Sequence, residues 1–259
     1  METKFVKYEK TGHVARITIN RPEVLNSIHP PTSEEMVDIV DDFVADKDLW
    51  VAIITGAGDK AFSAGNDLKY TAANPGARLM PRKGGFAGLT ARFDINKPLI
   101  AAVNGFALGG GFEIALSCDI IIAADHARFG LPEPRVGLMA LAGGVQRLPR
   151  AIPLKIAMGM MLTGKHITAQ QAAQLGIANE VVPLKDLMAT AERWANEIME
   201  CSPVSVQCSK EVSMASLGLP LEEALTRTYP AVGRLMKSKD SIEGPLAFSQ
   251  KRKPNWKGE

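Results

Sequence analysis

Three short runs of almost unbroken apolar residues constrain this chain most. They are VAIITGAG (51–58), LIAAVNG (99–105) and DIIIAAD (119–125). Each is rich in β-branched residues and bounded by Gly, Asn or Asp, the pattern of a strand buried in a core. Residues 13–19 (HVARITI) alternate and predict a further strand, with 4–8 (KFVKY) as its hairpin partner. Between these, Pro31-Thr32-Ser33-Glu34-Glu35 marks a helix start, and Met36, Ile39, Val40 and Phe43 fall on one face of the helix that follows.

From about residue 150 the pattern turns helical. Segments 151–162, 168–175, 184–200, 203–216, 220–235 and 238–251 all accept a 3.6-residue period. Strands first and helices last predict an α/β or α+β core with a C-terminal helical module. The 259 residues suffice for one large domain, or one domain with an appendage. A helical tail that cannot enclose itself packs on a neighbouring subunit, so an oligomer is expected.

Charge narrows the function classes. A net charge of +2 gives no basis for a nucleic-acid or anionic-membrane partner, while a polyanionic small ligand needs only a local basic patch. The N-terminus METKFVKYEK lacks the apolar stretch of a secretory signal, and no run of about 18 apolar residues offers a membrane span. Cys118, Cys201 and Cys208 form no CxxC pair and read as reduced core thiols of a cytoplasmic protein. His13, His29, His126 and His166 show no metal-ligand spacing, so no metal is expected. The Gly-, Pro- and Arg-rich stretch 70–89 reads equally as a mobile loop over a site or as a plain surface loop.

Three segments carry candidate chemistry. In Ala61-Phe62-Ser63-Ala64-Gly65-Asn66-Asp67-Leu68-Lys69, small residues surround a glycine just before a probable helix. Such a turn can leave backbone N–H groups unpaired, although an ordinary strand-to-helix turn looks the same. In Asn104 to Glu113, the run Gly109-Gly110-Gly111 weakens helix and strand alike, which a chain tolerates where backbone must approach something closely. Glu113 falls in the first turn of the next helix, where it serves the site or compensates the helix dipole. Glu133 lies between Pro132 and Pro134, which stiffen the backbone and aim the carboxyl group; a surface carboxylate in a turn reads the same way. Gly143-Gly144-Val145-Gln146-Arg147-Leu148 looks like another glycine-led helix start. Two backbone donors and two carboxyl groups suit addition of water beside a thioester: the donors bind the oxygen as it becomes enolate-like, one carboxylate activates water, and the other carboxyl delivers a proton to carbon.

In order and spacing the motifs resemble the enoyl-CoA hydratase/isomerase, or crotonase, superfamily almost end to end. They are RPEVLNSI (21–28), AIITGAGDKAFSAGNDLK (52–69), KPLIAAVNGFALGGGFEIALSCDIIIAAD (97–125), FGLPEPRVGL (129–138), GGVQRLPR (143–150) and TGKHITAQQAAQLGIANEVV (163–182). The resemblance implies a ββα spiral over 1–200 holding the CoA and acyl sites, and a C-terminal helical trimerisation region over 201–259. It implies a homotrimer or homohexamer, and an acyl-CoA substrate with no separate cofactor, coenzyme A being part of the substrate. It assigns the oxyanion hole to the N–H groups of Asn66 and Gly110, with the Asn66 side chain free to touch the acyl group. Glu113 would chiefly activate water and Glu133 chiefly supply the α-proton, with roles reversed in dehydration. Ala64, Lys69, Phe248 and Lys251 match positions that meet CoA, the last two sometimes across subunits.

GGFAGLTARFDINKPLIAAVNG (84–105) and IEGPLAFSQKRKPNWKG (242–258) look like the carnitinyl-CoA dehydratase (crotonobetainyl-CoA hydratase) members of this family. LMALAGG (138–144) departs from the polar form expected there and leaves room for an apolar or aromatic acyl group. The reaction expected is reversible hydration of a 2-enoyl-CoA. A cinnamoyl-type hydratase-lyase and a double-bond isomerase are the enzymatic alternatives, and an RNA-binding protein on the same fold is the non-enzymatic one.

Overall fold

The computed structural model describes residues 3–76 and 80–259. The chain enters through an antiparallel hairpin, β1 (Val6–Thr11) and β2 (Val14–Ile19). A helix, α1 (Pro30–Ala45), then returns across the sheet with Met36, Val37, Ile39, Val40 and Phe43 buried. It begins at Pro30 because His29 caps it, its ring nitrogen accepting from the Thr32 N–H.

Three ββα turns follow. The first is β3 (Val51–Gly56), β4 (Ala61–Ser63) and α2 (Leu68–Ala73). The second is β5 (Leu99–Val103), β6 (Phe106–Leu108) and α3 (Gly110–Leu116). The third is β7 (Ile120–Ala124), β8 (Arg128–Gly130) and a 3-10 turn at Glu133–Val136. The first strand of every turn joins a six-stranded sheet ordered β1-β2-β3-β5-β7-β10. The second strands join a four-stranded sheet ordered β4-β6-β8-β9. Both sheets are parallel except at the β1–β2 and β8–β9 edges. The remaining elements are α4 (Gly144–Ala151), α5 (Leu154–Thr163), β9 (Ile167–Thr168), α6 (Ala169–Gln174), β10 (Glu180–Val182), α7 (Leu187–Met199), α8 (Pro203–Ser216), α9 (Leu221–Thr226), α10 (Pro230–Met236) and α11 (Lys239–Ser249).

The three apolar runs are unbroken because both faces of the larger sheet are covered. Ala52 and Ile54 of β3 turn toward the main core with α1, while Val51 and Ile53 meet Leu187, Ala191 and Ala195 of α7 on the other face. The helices α8, α10 and α11 pack on one another.

Several sequence expectations change here. The segment 220–235 is two helices: Arg227 is extended and Pro230 starts α10, since proline lacks the N–H that would continue α9. The glycine-led run at 143–148 does open a helix, at Gly144, and the segment expected over 151–162 is a separate helix that starts at Leu154. Within 70–89, residues 77–79 lie outside the described residues. The part from Phe86 to Thr90 is neither a surface loop nor open: those residues are buried, and Gly88 packs on Val37 of α1.

The segment RPEVLNSI is a brace. Asn26 is fully buried with a left-handed backbone. Its side chain accepts from the Arg21 N–H and donates to the Ala57 and Ala61 carbonyls. Arg21 donates to the Ser27 carbonyl and pairs with Asp67, which caps α2. Asn26→Ala strands the Arg21 N–H and the Ala57 carbonyl, while the Ala61 carbonyl keeps its bond from Asn104, so it should lower unfolding free energy by about 2 kcal/mol. Urea unfolding of the two proteins measures this.

Candidate functional site

Asn66, Gly110 and Glu133 each lie within three residues of the carboxyl ends of β4, β6 and β8. Those strands are parallel neighbours, so the spiral delivers the three to one edge of the smaller sheet. Ligands commonly bind beyond the carboxyl ends of parallel strands, where loops diverge.

The Asn66 and Gly110 turns touch. A side chain on Gly65 would come within 2.7 Å of the Leu108 carbonyl and 2.8 Å of the Gly110 nitrogen. Gly65 also has φ +87°, a conformation that favours glycine. The segment is held from outside by Ile28 donating to the Gly65 carbonyl and Asp67 donating to the Ile28 carbonyl. Among the described residues, neither the Asn66 nor the Gly110 N–H donates to a protein acceptor. The Asn66 side chain turns aside to donate to the Thr71 hydroxyl at 3.2 Å. Its amide nitrogen is thus engaged on α2.

Each glycine of the triplet has its own neighbour. Gly109 faces the Glu133 carboxyl, whose Oε1 is 3.1 Å from where a Cβ would stand. Gly110 lies under the Phe86 ring, and Gly111 packs on the Ser63 carbonyl. The triplet therefore permits close approach of backbone to three separate elements.

Glu113 is 3 % exposed and accepts the Gly144 N–H at 2.8 Å. Burial, its largest influence, pushes this carboxyl up to about 7; the nearby Glu133 adds to the rise, while the Gly144 and Ala142 N–H groups and Arg147 oppose it. Burial also raises Glu133, whose Oε2 is buried without a hydrogen-bond partner. Both carboxyls therefore hold a proton more readily than a free glutamate does. The Gly144 N–H on Glu113 and the charge of Arg147 oppose that rise by favouring the anion there.

The glycine-led start at 143–144 was legible in the sequence, but its use was not. Gly144 holds Glu113 and Phe86 presses on Gly110, roles that the motifs containing these residues did not reveal. From Val136 to Ala142 the chain is apolar: Leu138, Met139 and Leu141 are exposed, Ala140 and Ala142 buried.

The other expected positions divide. Ala64 sits in the Asn66 turn and donates to the Leu25 carbonyl. Lys69 is exposed on α2, beside that turn. Phe248 is 86 % exposed on α11, and Lys251 follows it with φ +54°. Helix α11 packs on α8 and α10, so one chain alone does not bring these two residues to Glu113 and Glu133.

Known proteins share this construction. The enoyl-CoA hydratase/isomerase family model matches residues 9–259. A carnitinyl-CoA dehydratase of Salmonella arizonae is 45 % identical, with 98 % of each chain covered. Another from Proteus mirabilis is 45 % identical over 95 % of this chain and 96 % of that one. The crystal structure of an enoyl-CoA hydratase from Mycobacterium marinum superposes with a TM-score of 0.92 at 38 % identity, covering 98 % of this chain and 99 % of that one. Two-strand turns that end in free amides, with a buried and a half-buried glutamate beside them, thus accompany likeness along nearly the whole length, and the chain belongs to the enoyl-CoA hydratase/isomerase family.

Proposed function

We propose that this chain is an enoyl-CoA hydratase, equally a 3-hydroxyacyl-CoA dehydratase, that adds water reversibly to a 2-enoyl-CoA thioester. The observation that carries this reading is the pair of unengaged amides at Asn66 and Gly110 beside two carboxyl groups, Glu113 buried and Glu133 half-buried, both with raised proton affinity.

The thioester oxygen accepts both N–H groups. As water adds to the β-carbon, negative charge moves onto that oxygen, and each well-aimed donor is worth roughly 3 kcal/mol of barrier. Glu113 takes the proton from water, and Glu133 gives its proton to the α-carbon. Dehydration runs the same steps backward with the proton starting on Glu113. The two starting states hold the same number of protons, so both directions need the singly protonated pair. We expect a bell-shaped profile of kcat/KM against pH, with the same shape for hydration and dehydration and its centre near neutrality. Initial rates in both directions across pH check this; a rate that only rises with pH contradicts it.

CoA lies along Ala64 and Lys69, and Phe248 and Lys251 reach a CoA bound to a neighbouring subunit in a homotrimer or homohexamer. The strong exposure of Phe248, Leu217, Leu221, Leu225 and Met236 supports such an assembly. A cytoplasmic location fits the acyl-CoA substrate; no described helix is long and apolar enough to cross a membrane.

The relatives named carnitinyl-CoA dehydratase make a carnitinyl-type acyl group one arm of the test, and the apolar Leu138–Leu141 segment makes short aliphatic and cinnamoyl groups the others. Each enoyl-CoA is incubated with the protein and followed by mass spectrometry. Gain of one water supports the reading. Release of an aldehyde with a shortened thioester, or a shifted alkene of unchanged mass, replaces it with lyase or isomerase activity.

A further inference from the structure

Arg147 is a cation inside the site region that the reaction just described does not use. It stands on α4, one turn beyond the Gly144 whose N–H holds Glu113. Its guanidinium donates to the Thr90 carbonyl at 2.7 Å and toward the Ala142 carbonyl at 3.4 Å. It also lies against Gly143, where any side chain would overlap it. Thr90 closes the loop that carries Phe86, its N–H donating to the Phe86 carbonyl at 3.2 Å. Phe86 in turn rests on Gly110. One planar group therefore joins the carboxyl side of the site, through Ala142 and Gly143, to the amide side, through Thr90 and Phe86.

Its electrostatics are unusual for a tether. Among the described residues Arg147 forms no ion pair, whereas Arg92 on the same loop pairs with Asp41 and Asp94. A partly buried guanidinium without a carboxylate partner is unfavourable unless its charge acts elsewhere. Burial lowers the proton affinity of Arg147, and Glu113 is the largest influence opposing that. The charged and titratable groups that face Glu113 are Glu133 and Arg147, with Cys118 also within reach of the arginine.

We propose that Arg147 is a positioning residue for the hydration reaction, clamping the Glu113 turn to the Phe86 loop and holding the anionic form of Glu113 with its charge. The inference rests on the hydratase reading of the site. It requires both the fork of the guanidinium, which spans two carbonyls, and its positive charge.

The test uses the full chain with an enoyl-CoA that the parent protein hydrates. If the parent hydrates none, the reading of the site fails, and that is a separate result from this one. Given a working substrate, Arg147→Met should lower kcat about 10- to 100-fold through misplacement of the reacting groups. KM should stay within about threefold, since the groups lost act after binding. The bell of kcat/KM against pH should move to higher pH, because removing a cation lets Glu113 hold its proton more firmly. Arg147→Lys keeps the charge but cannot bridge two carbonyls, so it should restore the position of the bell and only part of the kcat. If Arg147→Met does not fold, as judged by circular dichroism, Arg147→Gln replaces it with the same expectation. An unmoved bell in the uncharged variant overturns the electrostatic role. A fully active Arg147→Lys overturns the clamp, and a lysine bell displaced as far as that of the uncharged variant overturns the role of charge.

Discussion

Glu113→Gln and Glu133→Gln should each lower turnover by about 100-fold or more while binding of the thioester persists. Both changes conserve shape. A glutamine at 113 still offers an oxygen to the Gly144 N–H, so the turn at 142–144 keeps its anchor. What it lacks is the capacity to accept a proton from water. A glutamine at 133 fills the same space against Gly109 but has no acidic proton for carbon. Because the two groups exchange one proton within a single reaction, the double variant should be little slower than the worse single one. Steady-state kinetics with a hydrated substrate, together with calorimetric binding of its CoA thioester, separates chemistry from affinity. Near-normal turnover in both variants would remove these residues from the mechanism.

Gly65→Ala should be comparably severe, although it alters no reacting group. The added methyl group has nowhere to go: it meets the Leu108 carbonyl and the Gly110 nitrogen, and the backbone there is left-handed. Relief requires the β4 and β6 exits to separate, which pulls the Asn66 and Gly110 amides out of common reach of one oxygen. Losing one oxyanion donor costs about 100- to 1,000-fold in kcat, and the same range is expected here. Asn66→Ala should cost far less, because the donor is main chain and the lost side chain serves only Thr71. Comparable losses in both variants would mean that the Asn66 side chain, rather than its amide, is what the reaction needs. Circular dichroism and urea unfolding distinguish a displaced amide from a collapsed fold.

The two sheets were unequally legible. β3, β5 and β7 could be read because burial on both faces leaves an unbroken apolar run. Their partners β4, β6 and β8 have three residues each, too few to show any period, and two of them lie inside the glycine-rich segments that draw attention for other reasons. The short β9 and β10 were hidden for the same reason within a stretch that otherwise reads as helical. The loop over 84–90 misled by composition. Gly84, Gly85 and Gly88 there have positive φ and wind a tight, buried turn beneath Phe86, and mobility does not follow from them.

The site was legible in parts. Glu113 and Glu133 could be picked out as residues, but each had an equally good surface or dipole reading until the fold set them in one buried space. Resemblance joined them, and the geometry supplies the reasons: the Gly144 and Ala142 N–H groups for one, an orphaned oxygen for the other. Arg147 could not be weighed from sequence, since nothing local to GGVQR tells that its guanidinium crosses to Thr90. Phe248 and Lys251 lie on and just after α11, which packs on α8 and α10.

The location of the free amides at the exits of β4 and β6 bears on how such a molecule can change over generations. Main-chain donors survive every substitution that spares the backbone, so oxygen-binding capacity is inherited with the fold itself. New reactions must then arise by exchanging the side chains at 113 and 133 or the apolar stretch from 138 to 141, none of which is structurally committed in the way Gly65 and Gly111 are. On the proposed reading, a scaffold arranged like this invites drift in what it transforms while conserving the two amides that take the thioester oxygen.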